Sequence, residues 1–399
     1  MEQISIVLRD MRARVPGPFS SEVRGAGMRA EALSPPEPRI ELEAVDRRGQ
    51  VELLRDPRVV AVAPRMPMRL IAPLRAAGDG DAPLEDGPAW GVGAVGADSS
   101  GFDGSDAIVA VLDTGIDRTH EAFAGVTLVE RDFSGAGDGD RNGHGTHCAG
   151  TILGRDVSGR RIGVARGVTR ALVGKILDDD GRGDSDMAFH GLNWALDQGA
   201  NVISMSLGFD FATLVRQQVD DGWPADLATS SALEGYRGNL RMFDAFMAMA
   251  RAREAFGAGP VIVAAAGNES RRDLAPNYEL AASLPAAADG VVSVGAVARG
   301  ADSRYDVAWF SNVFPQVCAP GVGIASARAG GGLAVLDGTS MACPHVAGVA
   351  ALWWQAVRQS GLPAQARTVV AKLLGSARSD VFADGVDEAD RGVGLATAP

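Results

Sequence analysis

Three side chains of this sequence, an acid, an imidazole and an alcohol, could together do chemistry on a carbonyl group. Asp113 ends a short apolar run, His144 lies between two glycines, and Ser340 precedes a long apolar stretch. In open parallel sheets, functional groups collect beyond the carboxyl ends of strands, which suits Asp113. The stretch after Ser340 is predicted to be a buried helix, whose free N–H groups and dipole favour negative charge beside the hydroxyl. Pro344 fits such a helix because first-turn N–H groups lack intrahelical partners.

The chemistry open to these residue types is acyl transfer. Ser340 would attack a carbonyl carbon, and His144 would take its proton and later deliver it to the leaving amine. Asp113 would hold the imidazole tautomer and stabilise the imidazolium. Asn268, just past an apolar run, would donate its amide to the oxyanion together with the backbone N–H of Ser340.

Such a set needs a scaffold that brings distant segments together, and the apolar pattern supplies one. From Trp90 onward, short continuous apolar runs are separated by helical stretches such as Ser185 to Gln198. This pattern is typical of strands buried on both faces. We therefore predict an α/β domain with a parallel sheet flanked by helices on both faces. Its predicted strands are residues 107–112, 171–176, 202–205, 261–265 and 291–294.

Four segments of the chain resemble the signatures of the subtilisin-like serine proteases, or subtilases (peptidase family S8). They are DTGID at 113–117, HGTHCAG at 144–150, AAGN at 265–268 and GTSMACPHVAG at 338–348. Their order along the chain, acid, imidazole, alcohol, is also that of the family. The resemblance, which runs from about Trp90 to Leu395, implies a serine endopeptidase that works through an acyl-enzyme. It implies catalytic roles for Asp113, His144 and Ser340, an oxyanion hole at Asn268, and no cofactor for catalysis.

The resemblance also implies where a peptide or protein substrate would bind. Two stretches match edges that pair with an extended peptide as added strands: Gly181, Arg182 and Gly183, and Ser206, Leu207 and Gly208. Main-chain hydrogen bonds would supply affinity and alternating pockets selectivity. The alternative is ordinary glycine turns, and their position in the motif order favours the binding role. Glu269 is interpreted as lining the first specificity pocket, where it would favour basic or polar residues.

Residues 1–72 are predicted to be a small α+β domain, with strands at 4–8, 39–45 and 59–63 and a short helix at 49–55. The segment LRDPRVVAVAPR at 54–65 is similar to the end of subtilase propeptides. The resemblance implies an intramolecular inhibitor that assists folding, followed by about Met66 to Leu74 in the active-site cleft. The family's first helix is poorly matched in residues 10–36, so whether the unit is cleaved off stays open.

Residues 73–89 are predicted to be an exposed linker, because they hold Gly, Pro, Asp and Ala with few large apolar side chains. The catalytic domain would then cover residues 90–399, with an insertion at about 209–238 relative to the minimal family pattern. Two interpretations of the insertion stay open: a selectivity loop or lid beside the substrate groove, and a tolerated surface excursion. After it, Leu240, Phe243, Met247 and Ala250 recur at helical spacing and are predicted to pack in the core.

The charge of the chain argues against a nucleic-acid partner. It has 50 acidic and 38 basic residues, a net charge of −12, and no basic cluster that could neutralise phosphates. Residues 1–72 carry 12 basic and 10 acidic groups, so this unit is slightly positive and the remainder strongly negative. We therefore expect the two parts of the chain to attract each other.

No metal site is predicted from the sequence. Many subtilases bind calcium after the histidine motif, but here residues 155–161 include three arginines, which suit a dication poorly. We predict no calcium there; a structural calcium elsewhere is possible but cannot be located. His120, His147, His190 and His345 are expected to be structural. The cysteines Cys148, Cys318 and Cys343 are expected to be buried and unpaired. Cys148, on the helix of His144, is alternatively a mercurial-sensitive thiol.

No apolar run has the length of a membrane span, and the N-terminus lacks the apolar core of a signal peptide. The sequence as written therefore predicts a cytoplasmic protein without membrane contact, or a secreted one if an export leader has been removed. Two other functions stay open beside the general endopeptidase. One is a narrowly specific, regulated processing or signalling protease, and the other an inactive binding module on the subtilase fold.

Overall fold

The computed structural model describes residues 3–13, 35–74, 87–257, 259–300, 302 and 304–399. The strands are β1 (Gln3–Asp10), β2 (Pro38–Val45), β3 (Val59–Pro64), β4 (Pro67–Leu70), β5 (Ile108–Asp113), β6 (Thr127–Asp132), β7 (Arg170–Lys175), β8 (Arg182–Asp184), β9 (Val202–Met205), β10 (Leu207–Phe209), β11 (Val261–Ala265), β12 (Val292–Arg299), β13 (Tyr305–Val307), β14 (Val317–Pro320), β15 (Ile324–Ala327) and β16 (Leu333–Leu336). The helices are α1 (Arg47–Leu53), α2 (Trp90–Ala94), α3 (His144–Leu153), α4 (Ser185–Asp197), α5 (Phe211–Asp220), α6 (Ala225–Glu254), α7 (Thr339–Gln359), α8 (Ala366–Gly375) and α9 (Glu388–Arg391), with a 3₁₀ turn at Glu121–Phe123.

The large sheet has the strand order β13-β12-β11-β9-β5-β7-β6, with β14 beside β12. All its pairs are parallel except β12 with β13. Side chains of β5 alternate between two apolar clusters: Val109 and Val111 pack with α3 and α7, whereas Ala110 and Leu112 pack with α4 and α6. This alternation places helices on both faces, so the predicted α/β fold class is confirmed.

The N-terminal unit contains a three-stranded antiparallel sheet in the order β2-β1-β3, and α1 lies between β2 and β3 in the chain. Arg9 binds carboxylates of both neighbouring segments, at 2.7 Å from Glu41, 2.8 Å from Glu43 and 2.8 Å from Asp56. The described part of this unit therefore combines three strands with one short helix. The uncertain helix of residues 10–36 falls mostly on residues 14–34, and most of the predicted linker on 75–86; both lie outside the described residues.

The predicted insertion, residues 209–238, folds as the end of β10, α5 and the first half of α6. The second half of α6 carries Phe243, Met247 and Ala250, which are buried as their spacing predicts. The first half of α6 faces the N-terminal unit, where Gly235 and Gly238 lie close to Met66 and Pro64. This helical segment therefore packs against the N-terminal unit. None of the helices formed by the described residues is long and apolar enough to cross a membrane.

Two arginines of the segment where calcium is not expected, Arg155 and Arg161, bind backbone carbonyl groups of residues outside that segment. Arg155 donates to the carbonyl oxygens of Leu153 at 3.2 Å and Val168 at 2.9 Å. Arg161 donates to three carbonyl oxygens, those of Ala97 at 3.0 Å, Gly163 at 3.2 Å and Val164 at 3.1 Å. Burial lowers the pKa of both guanidinium groups from their ordinary value. The guanidinium groups of Arg155 and Arg161 thus donate hydrogen bonds to these carbonyl oxygens.

We predict that Arg161→Ala lowers the free energy of unfolding by about 1–3 kcal/mol, because three carbonyl oxygens lose their donor in a partly buried place. Urea unfolding followed by tryptophan fluorescence measures the change. The matched control is Arg48→Ala on α1, whose exposed guanidinium lies 3.7 Å from Glu52 and should matter by less than about 0.5 kcal/mol. Equal effects of the two substitutions would contradict this role of Arg161.

Candidate active site

Asp113 and His144 meet at the carboxyl edge of the large sheet. Asp113 is the last residue of β5, and His144 is the first residue of α3, after Gly143 in a left-handed conformation with φ 92°. Oδ1 of Asp113 lies 2.8 Å from Nδ1 of His144 and also accepts the Thr114 N–H at 2.8 Å. A carboxylate at Nδ1 favours the tautomer with its proton there, which leaves Nε2 as a proton acceptor.

Asp140, which the sequence analysis did not single out, ties these two segments together. Its Oδ1 accepts from the Thr114 hydroxyl at 2.9 Å and the Gly143 N–H at 2.8 Å. Its Oδ2 accepts from the backbone N–H and the hydroxyl of Thr146, at 2.8 and 2.7 Å. An acid just before a helix satisfies free N–H groups and suits the helix dipole. Its position four residues before His144 was the available signal.

Close backbone contacts complete this junction. A Cβ atom at Gly145 would collide with the carbonyl oxygen of Gly115, and one at Gly115 with that of Gly139. Lys175, buried at the end of β7, donates to the carbonyl oxygens of Thr114 at 2.7 Å and Gly139 at 3.1 Å. Glycine is therefore required where the segment after Asp113 approaches the start of α3.

Ser340 is the second residue of α7 and is completely buried. Pro344 lies four residues later, so it removes the N–H that would bind the Ser340 carbonyl, rather than one of the free first-turn groups that we expected. That carbonyl oxygen instead accepts from the Ser206 hydroxyl at 3.2 Å and the Cys148 thiol at 3.5 Å. The proline is tolerated because neighbouring segments replace the missing donor.

Asn268 lies beside the start of α7 with its amide held in one orientation. Its Oδ1 accepts from the backbone N–H and the hydroxyl of Thr339, at 2.9 and 2.8 Å. Its Nδ2 therefore points away from Thr339 and donates to the carbonyl oxygen of Ala72 at 3.1 Å. The structure thus brings Asp113, His144, Ser340 and Asn268 to one edge of the sheet.

A segment of the N-terminal unit fills the cleft beside these residues. Strand β4 lies between β8 and β10 in a three-stranded antiparallel sheet. The Leu70 N–H donates to the Gly181 carbonyl at 2.8 Å, and the Ile71 N–H to the Ser206 carbonyl at 3.3 Å. The remaining predicted edge residues take part in the same pairing: Arg182 and Gly208 face Arg69, Gly183 faces Met68, and Leu207 faces Leu70.

Two successive carbonyl groups of this segment contact the predicted catalytic residues. The Ser340 hydroxyl donates to the Ile71 carbonyl oxygen at 2.6 Å, while Asn268 binds that of Ala72. Farther along, the Leu74 N–H donates to the Asp337 carbonyl at 2.8 Å. The chain therefore passes through the whole cleft and covers Ser340.

The contacts of Glu269 do not match the interpretation that this residue lines the first specificity pocket. Its Oε2 accepts from Nδ2 of Asn312 at 2.8 Å, and its Oε1 lies 3.9 Å from Nη2 of Arg69. Arg69 is two residues before Ile71, whose buried side chain lies close to the bare backbone of Gly208. The carboxylate of Glu269 thus faces Arg69. The carbonyl group in contact with Ser340 belongs to Ile71, two residues later.

Cys148 packs against the imidazole, with Sγ 3.7 Å from Nδ1 of His144. Burial, and next the charge of Asp113, raises the pKa of this thiol well above its ordinary value. Among the described residues, Asp113, His144 and Cys148 form the one group of His, Cys or acidic side chains close enough together to share a metal ion. A metal bound there would displace the hydrogen bond of His144.

Of the other histidines, His147 and His345 each lie within hydrogen-bond distance of a backbone carbonyl oxygen. Nε2 of His147 is 3.0 Å from the carbonyl oxygen of Ile324, and Nδ1 of His345 is 2.8 Å from that of Met341. Burial lowers the pKa of His147 to about 3 and that of His345 to about 4, so both are neutral near pH 7. His120 accepts the Ala122 N–H, and His190 is half-buried on α4.

Comparison with known proteins agrees with the arrangement of these segments. The model of the subtilase family matches residues 104–394. Subtilisin-like protease 2 of Pseudogymnoascus destructans is 36% identical over 279 residues, which are 66% of this chain and 58% of the relative. Subtilisin DY of Bacillus licheniformis is 33% identical over 260 residues, 64% of this chain and 78% of the relative. The cuticle-degrading serine protease of Arthrobotrys oligospora is 33% identical over 288 residues, which are 69% of this chain and 58% of the relative.

The chain belongs to the subtilase family. It spans 58% of the length of the Pseudogymnoascus relatives.

Proposed function

We propose that this protein is a serine endopeptidase that hydrolyses peptide bonds through an acyl-enzyme. The observation that carries the proposal is the hydrogen bond between Asp113 and His144. Beside it, the hydroxyl of Ser340 and the amide of Asn268 each contact a carbonyl group of an extended chain. Family membership supports it, because the relatives' names are those of serine proteases. Catalysis needs no cofactor in this mechanism.

In the proposed mechanism the Ser340 hydroxyl turns from the Ile71 carbonyl oxygen to Nε2 of His144, loses its proton there and attacks the carbonyl carbon of the substrate. Asp113 stabilises the resulting imidazolium through Nδ1. The oxyanion receives hydrogen bonds from Nδ2 of Asn268 and the backbone N–H of Ser340 at the start of α7. His144 then protonates the leaving amine, and water releases the acyl group by the same steps in reverse.

The substrate would be an extended segment of a protein or peptide, bound as β4 is bound. Its main chain would pair with Gly181–Gly183 and Ser206–Gly208, which supplies affinity without regard to side chains. Ile71 would mark the residue before the cleaved bond, since its N–H and carbonyl contact Ser206 and Ser340. Its buried side chain supports an apolar preference at that position rather than the basic or polar one interpreted from Glu269.

The N-terminal unit would act as an intramolecular inhibitor of this activity. Its segment Met66–Leu74 occupies the positions where a substrate would bind, and Ser340 is buried beneath it. Moreover, Ser340 and Asn268 bind two different carbonyl groups, whereas attack requires both to act on one. This covered cleft favours the second candidate, a regulated protease that acts after its N-terminal unit is displaced. The inactive binding module has no comparable support, because no residue of the mechanism is missing.

We predict that Ser340→Ala abolishes hydrolysis of peptides without changing the fold. The loss of the nucleophile should lower kcat by about 10⁶-fold, the scale known for subtilisin. A fluorogenic peptide assay gives kcat after a long incubation, during which the wild-type chain can open its cleft by self-cleavage, and circular dichroism checks the fold. Hydrolysis by the variant at the wild-type rate would contradict the assignment of Ser340.

We predict that Asn268→Ala slows kcat by roughly 10²–10³-fold, because one donor to the oxyanion is lost. Asn193→Ala is the matched control, since Asn193 lies on α4, outside the predicted site, and donates its amide N–H to Asp197 of the same helix at 3.2 Å. Steady-state kinetics after titration of active sites separates the two variants. An unchanged kcat in Asn268→Ala would remove this residue from the mechanism.

We predict that the wild-type chain, but not Ser340→Ala, cleaves itself between Ile71 and Ala72 on long incubation. The reason is that the Ile71 carbonyl is the group in contact with the Ser340 hydroxyl. Intact-mass spectrometry locates the cut and distinguishes it from other bonds of residues 65–90. A wild-type chain that stays intact would instead indicate a permanently retained N-terminal domain.

A further inference from the structure

Immediately upstream of the cleft, the side chain of Arg65 is held between two carboxylates. Its Nη2 lies 2.6 Å from Oδ2 of Asp184, and its Nε lies 2.7 Å from Oδ1 of Asp186. Asp184 ends β8 and Asp186 is the second residue of α4, so both acids belong to the large domain. Two nitrogen atoms of one planar group therefore bind two separate carboxylates, a geometry that the ammonium of lysine cannot reproduce.

The main chain is bound at the same place. The Met66 N–H donates to the Ser185 hydroxyl at 3.0 Å, and the Ser185 N–H donates to the Met66 carbonyl at 2.9 Å. Ser185 is fully buried under this contact. Both bonds involve backbone groups of residue 66, which any amino acid except proline would offer. The site therefore holds an extended chain as well as a guanidinium group.

A second element continues the groove one residue farther upstream. Asn239 on α6 is completely buried, and its Nδ2 donates to the Pro64 carbonyl oxygen at 2.8 Å. Its Oδ1 has no hydrogen-bond partner among the described residues. Because Pro64 has no N–H, the segment now in the groove leaves the buried Oδ1 of Asn239 without a hydrogen-bond donor.

The groove is continuous with the cleft. Arg65 lies six residues before Ile71, and the chain between them is extended, so the contacts reach roughly 20 Å upstream of the bond to be cut. Met66 and Met68 are buried along this path, and Gly235 of α6 leaves room for the sulfur of Met66. The helices formed by the predicted insertion thus build one wall of the groove.

Electrostatics favour a basic occupant. Burial, and to a lesser degree Asp186, raises the pKa of Asp184, while Arg65 opposes that shift. Without a cation, the two neighbouring acids would repel each other in a partly buried place. The same sign of charge recurs at Arg69, whose guanidinium lies 3.7 Å from Asp210.

We propose that Asp184, Ser185, Asp186 and Asn239 form an additional substrate-binding site, which binds an arginine six residues before the residue whose carbonyl Ser340 attacks. The N-terminal unit occupies this site in the structure as a substrate would. The proposal rests on the peptidase function proposed above and adds a selectivity that depends on a distant residue of the substrate. Helix α6, whose first half belongs to the predicted insertion at 209–238, takes part in this selectivity through Asn239, one residue past the insertion.

Competition between two peptides tests the proposal. Both span residues 64–74 of the chain's own sequence, and they carry arginine or glutamine at the position of Arg65 under different mass labels. The full chain, after self-cleavage, receives the two together, so their ratio of kcat/KM does not depend on the active fraction. We expect the arginine peptide to be cut about tenfold faster at low concentration. The difference should lie in KM, since the site is remote from the reacting atoms.

Variants assign the preference to its residues. Asp184→Asn with Asp186→Asn should bring the ratio close to one, and Asp184→Asn alone should lower it if the double variant is unstable. Asp180→Asn is the matched control, because the exposed carboxylate of Asp180 lies 3.8 Å from Arg182 and is not one of the two that bind Arg65. This variant should keep the preference for arginine. A preference that survives the double substitution overturns the assignment.

A shorter peptide, residues 67–74, separates failure of this site from failure of the peptidase function. Wild-type chain that cuts this peptide but shows no preference for arginine retains the peptidase function and loses the additional site, which then serves the N-terminal unit alone. A chain that cuts no peptide overturns both proposals.

Discussion

The buried hydrogen bond between Asp113 and His144 is the interaction on which the rest of the site depends. A carboxylate that is 1% exposed is unfavourable unless hydrogen bonds replace its water. Asp113 gains them from Thr114 and from an imidazole 31 residues away in the chain. The end of β5 and the start of α3 must therefore be fixed against each other to within a few tenths of an ångström. Asp140 performs this task through hydroxyl and backbone donors of both segments.

The parallel sheet explains how the other groups reach the same place. Strands β5 and β11 end at one edge, so the residues that follow them, including Asn268, lie on the same side as Asp113. Helix α7 brings Ser340 to that edge, and Thr339 fixes the amide of Asn268 directly beside it. Orientation of the donor before the substrate arrives is what makes an amide useful to a developing negative charge.

Much of this arrangement could be predicted from the sequence. The five predicted strands of the large sheet begin within one residue of their observed positions, because strands buried on both faces are written as continuous apolar runs. Strand β6 was missed because it lies at the sheet edge and carries Glu130 and Arg131. Asp113, His144, Asn268 and Ser340 could be singled out because glycines, helix starts and strand ends surround them.

Other parts could not be found in this way. The roles of Asp140 and Lys175 depend on contacts between segments that are distant in the chain, and a lone acid or lysine has no local signature. The satisfied carbonyl of Ser340 likewise depends on Ser206 and Cys148 from other elements. The contact of α6 with residues 64–66 could not be predicted, because neither amphipathic spacing nor composition says which partner a helix face meets.

The N-terminal unit and a substrate would use the same main-chain contacts, so the filled cleft also indicates how a substrate would lie in it. β-strand addition is insensitive to side chains, and it allows a segment of the chain itself to fill the cleft. In the proposed mechanism, a reactive state would differ from this one in the carbonyl group that Asn268 binds and in the orientation of the Ser340 hydroxyl. The proposed inhibition would then depend on contacts outside the reacting atoms, including the expected attraction of a basic unit to an acidic domain.

Labelling with a fluorophosphonate tests the central claim most directly, because this reagent reacts with a serine whose hydroxyl is activated by a neighbouring imidazole. Once residues 66–74 have left the cleft, mass spectrometry should find the phosphonyl group on Ser340, and His144→Ala should prevent the labelling. Ser340 that stays unlabelled in the opened wild-type chain, or that is labelled equally fast in His144→Ala, would contradict the account.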